Sequence, residues 1–166
     1  MIGTFFECTS LKSLDLRNFK TPNLIDTFAM FYEATSLEYI NLENLNTTNV
    51  INMESMFNGW ESLISLNLKN FDTNKVTEII GMFNNCHSLK FLDLSNFKIQ
   101  NVKDLTNMFF ECNSLTSLDI RNFDTTNIES MSGLFQGCSS LTSINLKNFK
   151  TENVKDMIQC LRVVPP

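Results

Sequence analysis

Met82-Phe83-Asn84-Asn85-Cys86-His87-Ser88-Leu89-Lys90-Phe91-Leu92-Asp93-Leu94-Ser95-Asn96-Phe97-Lys98-Ile99-Gln100-Asn101-Val102 is one turn of a pattern that fills the chain. Sliding the sequence by 26 residues superposes it on itself. Phe83 then shares a column with Phe5, Phe31, Phe57, Phe109 and Phe135. Ser88 shares one with Ser10, Ser36, Ser62, Ser114 and Ser140, each followed by Leu. Asn96 aligns with Asn18, Asn44, Asn70, Asn122 and Asn148. Six copies, 4–29, 30–55, 56–81, 82–107, 108–133 and 134–159, stack without an insertion. Residues 1–159 read as one solenoid, and 160–166 as a degenerate C-terminal tail.

Each copy holds two periodicities. Ile40 and Leu42 lie two apart, the mark of a short half-buried strand. Val50, Met53, Met56, Phe57 and Trp60 recur at the spacing of one helical stripe. Asn49 precedes that stripe, in a column with Asn23, Lys75, Asn101, Asn127 and Asn153, where an N-cap is expected. The polar first-turn column Asp26, Asn52, Glu78, Asp104, Ser130 and Asp156 suits the positive end of a helix dipole. The expected fold is an α/β solenoid of six 26-residue units, each with one short parallel β-strand and one short α-helix. A lone unit buries too little apolar surface to offset its ordering, so stacking supplies the stability.

The segment from Leu11 to Phe19, Leu-x-x-Leu-x-Leu-x-Asn-Phe, resembles the strand segment of leucine-rich repeats. Leu11, Leu14 and Leu16 would then face the core, and Asn18 would be buried with its side chain bonded to neighbouring backbone. The unit from 82 to 102 resembles that of the BspA-like leucine-rich repeat surface proteins, also catalogued as a mollicute domain of unknown function. The resemblance implies a right-handed superhelix and an adhesion-type protein at the cell surface or outside the cell. It names no ligand.

Composition narrows the function classes. Among 166 residues, 13 are basic and 18 acidic, a net charge of −5, which disfavours nucleic acid as partner. No apolar run is long enough to insert in a membrane, and the N-terminus lacks the pattern of a secretory leader. Cys8, Cys86, Cys112 and Cys138 share a column with Ala34 and Trp60, read as small buried positions at a helix end. Helix axes 8–10 Å apart would hold those thiols beyond disulfide reach. Five unpaired thiols lean toward a reducing compartment, against the family expectation. No metal or cofactor is implied, since no Cys-x-x-Cys or phosphate-binding loop is present. His87 sits in a permissive polar column, the carboxylates do not converge, and no enzyme is expected.

The remaining candidate is the outward side of the strands. Its columns are Ser13, Tyr39, Ser65, Phe91, Ser117, Ser143, then Asp15, Asn41, Asn67, Asp93, Asp119, Asn145, then Arg17, Glu43, Lys69, Ser95, Arg121, Lys147. Tyr39 and Phe91 interrupt a serine column, either as interface anchors or as covers for neighbouring rungs. Arg17, Glu43, Lys69, Arg121 and Lys147 supply alternating charge suited to a protein ligand. Asp15, Asp93 and Asp119 belong to a column that serves either ligand contact or hydrogen bonds between rungs. The expected function is a non-catalytic protein-interaction module with an unidentified protein ligand; the resemblance implies that it is part of a bacterial surface adhesion or host-binding protein, for which a host extracellular protein is a candidate ligand. A structural spacer or an intracellular scaffold is the alternative. Neither end carries a polar cap, so a segment of a longer array or a truncated reading frame is expected, with end-to-end self-association through the uncapped ends.

Overall fold

The computed structural model describes residues 1–162; the last four residues of the expected tail lie outside the described residues. Among the described residues four three-residue strands are formed: β1 (Ser13–Asp15), β2 (Tyr39–Asn41), β3 (Phe91–Asp93) and β4 (Ser117–Asp119). β1 pairs with β2 and β3 with β4, both parallel and offset by 26 residues. A bridge between Ser65 and Phe91 continues the same column. Within these segments the leucines turn inward: Leu16, Leu42, Leu68 and Leu94 are buried, whereas positions 13, 39, 65 and 91 are exposed.

No helix forms at the apolar stripe, which corrects the sequence expectation. The segment of residues 53–59 is a chain of turns whose amides alternate in use. Met53, Ser55, Phe57 and Gly59 donate their N–H groups to the carbonyls of Glu78, Ile80, Met82 and Asn84 in the next rung. Met56 and Asn58 bond back three residues, to Met53 and Ser55. The reason is conformational. Two columns, four residues apart, hold the left-handed region: Gly3, Ala29, Ser55, Gly81, Asn107, Gly133 and Gln159, then Glu7, Glu33, Gly59, Asn85, Glu111 and Gly137. A left-handed residue every fourth position cannot propagate a right-handed helix. Gly59, at φ +78°, is also needed for space, because a Cβ there would meet Glu33 Cγ at 2.9 Å and Glu33 Cα at 3.2 Å.

Rung spacing forbids the helix as well. Strands advance by about 4.8 Å, whereas packed helices need roughly 8–10 Å. The invariant phenylalanines settle which applies: Phe57, Phe83, Phe109 and Phe135 stack with centroids 5.6, 5.8 and 5.7 Å apart. Phe5, Phe31 and Phe57 continue that stack at 5.3 and 5.8 Å. Helix spacing therefore cannot be what keeps the cysteines apart, although Cys8, Cys86, Cys112, Cys138 and Cys160 are all free thiols. Translation of one rung keeps neighbouring Cβ–Sγ bonds parallel, which is not disulfide geometry.

The asparagine columns do different work from that expected. The column of Asn18 is exposed or half-buried, not buried. Its amides reach back one rung: Asn44 to Arg17 O (2.6 Å), Asn70 to Glu43 O (2.9 Å), Asn122 to Ser95 O (2.6 Å) and Asn148 to Arg121 O (2.7 Å). The expected N-caps form a second such ladder, since the segments that follow them are turns, not helices. Asn101, Asn127 and Asn153 donate to Asn74 O, Gln100 O and Thr126 O, at 2.8, 2.9 and 2.8 Å. Buried Thr47, Thr73 and Thr125 add a third ladder. Each hydroxyl both accepts the N–H and donates to the C=O of one residue in the next rung: Asp72, Lys98 and Lys150 respectively.

The cysteine column proves to be a donor column. The thiols of Cys86, Cys112 and Cys138 point to the carbonyls of Phe57, Phe83 and Phe109 at 3.2, 3.1 and 3.1 Å, and Trp60 Nε1 donates to Phe31 O at 2.8 Å. Contact with the Cys86 thiol, then burial, raises the Cys112 pKa, and burial raises those of Cys138 and Cys160. A thiol-specific reagent is expected to modify half-buried Cys8 in the native chain and to spare Cys86, Cys112 and Cys138 until denaturant is added. Mass spectrometry of the peptides checks this.

Candidate interaction surface

The outward strand columns lie over two two-stranded parallel sheets, β1–β2 and β3–β4, the second extended by the Ser65–Phe91 bridge. Tyr39 is 53% exposed and Phe91 56%, although the rest of their column is serine. The register places Tyr39 beside Ser13, and Phe91 between Ser65 and Ser117. The two aromatics are therefore two rungs apart, about 10 Å. Ile64, one residue before Ser65, is 54% exposed on the rung between them. Sequence reasoning missed Ile64. Its signal was available, because Lys12, Glu38, Lys90, Thr116 and Thr142 make up the rest of that column.

The Asp/Asn column is tied within its own rung rather than between rungs. In every copy the side-chain Oδ1 accepts the N–H two residues on: Asp15 from Arg17, Asn41 from Glu43, Asn67 from Lys69, Asp93 from Ser95, Asp119 from Arg121 and Asn145 from Lys147. These Asx-turns close each strand segment and explain the residue type. They also fix what is left over: an amide donor in the Asn rungs, a second carboxylate oxygen in the Asp rungs.

Charges divide into paired and free. Arg17 bonds Asp15 (2.7 Å between Nη2 and Oδ2), and Arg121 pairs with Asp119 in the same way. Among the described residues, Glu43, Lys69 and Lys147 enter no ion pair. A shallow groove of about 410 Å³ runs beside Tyr39, edged by Asn41, Glu43, Asn67, Lys69 and Asn70. On a neighbouring face Glu129 bridges Lys103 (3.2 Å) and Lys155 (2.5 Å). A separate apolar area, with Ile25, Phe28 and Ile51 exposed, occupies the first rungs of the turn side.

Hydrogen bonds set the acid response. The Arg17 side chain holds Asp15 below the ordinary 3.8, the Arg121 side chain does so for Asp119, Ser95 for Asp93 and Thr126 for Asp124. Lys155 and then Lys103 hold Glu129 below 4.5. Glu54 is shifted the other way, by burial and then by Glu78 and Asp104. Depressed carboxylates give stability that is complete above their unfolded values and lost as pH falls through the folded ones. Glu54 favours folding below 4.5 and loses that contribution as pH rises. Five groups oppose one, so the urea midpoint is expected to drop on acidification from pH 5 to below 3.8, with little change between 6 and 8. Salt at neutral pH should weaken the exposed pairs only slightly.

His87 is accounted for structurally. Its Nδ1 lies 2.8 Å from Asn113 Oδ1 and 3.0 Å from Glu111 O, so it donates across one rung to two acceptors. Among the described residues no three His, Cys, Asp or Glu side chains group as metal ligands, and no helix is long and apolar enough to cross a membrane.

Comparison with known proteins agrees with this geometry. The chain resembles the crystal structure of the T. pallidum leucine rich repeat protein TpLRR, at 20% identity and a TM-score of 0.50, over 93% of this chain and 76% of that one. At 20% identity that likeness shows the fold, a leucine-rich repeat solenoid. A leucine-rich repeat protein from Bacteroides ovatus is similar at 19% identity and a TM-score of 0.38, over 96% of this chain and 49% of that one. Comparison with curated protein sequences gives no match. A family model described as "Mycoplasma protein of unknown function, DUF285" matches residues 1–115 and 81–163. With nearly every residue inside one of those two matches, and with the strand, Asn and Phe ladders just described, the chain belongs to that DUF285 family.

Proposed function

We propose that this six-rung solenoid is a non-catalytic protein-interaction module, and that its partner lies on the strand face. One observation carries the reading. Tyr39, Ile64 and Phe91 stand 53%, 54% and 56% exposed on three successive rungs, in columns that elsewhere hold polar residues. Exposed aromatics of this kind act as anchors, because they bring large contact area at small entropic cost. Free Glu43 and Lys69 at the edge of the groove add charge that orients a partner. The family resemblance to surface repeat proteins supports placing the module on a cell surface, with a host extracellular protein as its ligand.

Surface plasmon resonance against a panel of host extracellular-matrix and cell-surface proteins tests this. Tyr39→Ser with Phe91→Ser, the residue their column otherwise carries, is expected to weaken binding by at least about tenfold. Circular dichroism should show no loss of fold. Equal binding by both chains would remove the strand face from the site. A spacer is the second reading. Its support is that the whole Asp/Asn column, including Asp15, Asp93 and Asp119, is engaged in Asx-turns that serve the fold.

A further inference from the structure

The turn side changes character along the solenoid. Its first three segments, residues 1–9, 25–35 and 51–61, hold Glu7, Asp26, Glu33, Glu54 and Glu61 but no Lys, Arg or His. The α-ammonium of Met1 is bonded to Asp26 O at 2.7 Å. Among the described residues none of the five carboxylates enters an ion pair. Three large apolar side chains stand among them: Ile25, Phe28 and Ile51, at 55%, 37% and 46% exposure. That exposure is not an end effect, because each of the two segments that carry them is bonded to a turn on either side. Gly3 N donates to Phe28 O at 3.0 Å, Ile51 N to Ile25 O at 2.9 Å and Thr77 N to Ile51 O at 2.9 Å. Phe6 stacks on Tyr32 with ring centroids 4.9 Å apart and extends the apolar area by one rung.

The fold does not require apolar residues at these positions. The column of Ile25 and Ile51 continues as Thr77, Lys103, Glu129 and Lys155, and that of Phe28 includes Thr106 and Ser132. In the later rungs charge is balanced within the chain, since Lys103 and Lys155 share Glu129. In the first three it is not. Glu54 is raised by burial and then by Glu78 and Asp104, with no cation lowering it. Exposed apolar surface rimmed by a single sign of charge marks an interaction site, and the sign states what the partner must carry.

We propose that the turn side of the first three rungs is a second binding surface, separate from the strand face, and that it takes a basic amphipathic helix of a partner protein. Ile25, Phe28 and Ile51 receive the apolar side of that helix, and Glu7, Asp26 and Glu33 receive its flanking Lys or Arg. Asp26 keeps Oδ2 for this contact, because its Oδ1 accepts the Phe28 N–H at 2.8 Å. Spacing favours a helical partner. Ile25 and Ile51 stand one rung apart, about 4.8 Å, close to the ~5.4 Å pitch of an α-helix. Partner residues three or four apart therefore meet successive rungs. The same uncompensated carboxylates disfavour an anionic membrane surface.

Fluorescence anisotropy of labelled synthetic peptides on the full chain tests the proposal. The probes are an amphipathic Leu/Lys helix, the same helix with Glu for Lys, and a Lys/Ser peptide of equal charge without an apolar side. The Leu/Lys helix is expected to bind at least about tenfold more tightly than either control. Ile25→Thr with Ile51→Thr, the residue type of Thr77 in their column, should weaken it at least about tenfold. Glu7→Gln with Glu33→Gln should weaken it and flatten its salt dependence. Tyr39→Ser with Phe91→Ser, on the strand face, should leave it unchanged, which keeps this test apart from the strand-face reading. Circular dichroism checks the fold of each variant. Equal binding of Leu/Lys and Lys/Ser peptides overturns the proposal, as does binding indifferent to either the Ile or the Glu pair. So does no binding of the Leu/Lys helix at all. Attachment to phosphatidylcholine–phosphatidylserine vesicles that is lost with the two isoleucines would assign the surface to a membrane instead. Self-association lost with them would assign it to a second copy of the chain.

Discussion

Phe83→Ala is expected to destabilise the chain by about 3–5 kcal/mol, the usual cost of emptying a fully buried phenylalanine site. In a chain of this length that corresponds to a fall in Tm of roughly 10–15 °C. Phe83 is 0% exposed and stacks on Phe57 at 5.6 Å and on Phe109 at 5.8 Å, so its loss removes contacts on both sides. The Cys112 thiol bonded to Phe83 O keeps its acceptor, since that carbonyl belongs to the backbone. The damage therefore reports the ring stack. Solenoid stability is close to a sum of rung and neighbour terms. Breaking the stack near its middle should also split the melt, with the outer rungs unfolding at different temperatures. Differential scanning calorimetry would show both effects; an unchanged single transition would mean that the ring stack contributes little.

Thr73→Val is expected to cost about 1–3 kcal/mol although it preserves shape. Thr73 is 1% exposed, and its Oγ1 accepts the Lys98 N–H at 2.7 Å while donating to Lys98 O at 3.1 Å. Valine fills the same space and leaves both backbone groups without that partner. Thr73→Ser keeps the hydroxyl and should recover most of the loss, apart from one methyl group. Urea titration of the two variants separates hydrogen bonding from packing. The sequence contains a natural comparison: Ile99 occupies the same column, so one rung already lacks this bond.

The strand side was legible in the sequence because one residue type there does one job. Leu at alternate positions marks the inward face, and Asn at 44, 70, 122 and 148 marks the ladder, although its exposure was misjudged. The turn side misled because in-register stacking and a helical stripe place apolar residues at similar intervals. Val50, Met53, Met56 and Phe57 fit a helix by spacing, yet all four are buried within one rung of turns. The decisive signal was Gly3, Gly81 and Gly133 in one column with Asn107, the residue types that tolerate positive φ. Glu33 and Glu111 hide the second such column, because glutamate gives no hint of a left-handed backbone.

For the candidate site, the aromatic exceptions were visible once the columns were aligned. Ile64 stands out in its own aligned column as well, but that column lies one residue outside the strict alternation of the strand and was passed over. Lys12 O accepts both the Glu38 N–H and the Tyr39 N–H, at 2.9 and 3.3 Å. That local bulge puts two successive residues on the exposed side, which a period of two does not anticipate. The Asp/Asn column shows the opposite limit. Its polarity is visible in the sequence, but the Asx-turn that consumes Oδ1 is known only from the geometry.

The turn side of every coil bonds directly to the next rung, so no helical layer stands behind the strand face. Scalar couplings across hydrogen bonds, measured by NMR on isotope-labelled protein, test it at one amide. Coupling is expected from the Phe57 N–H to the Met82 carbonyl, 25 residues ahead, where the N···O distance is 3.0 Å. A helix would instead couple Phe57 to the carbonyl of Met53. That second result would restore the helical layer, with its wider spacing, and contradict the turn-side ladder.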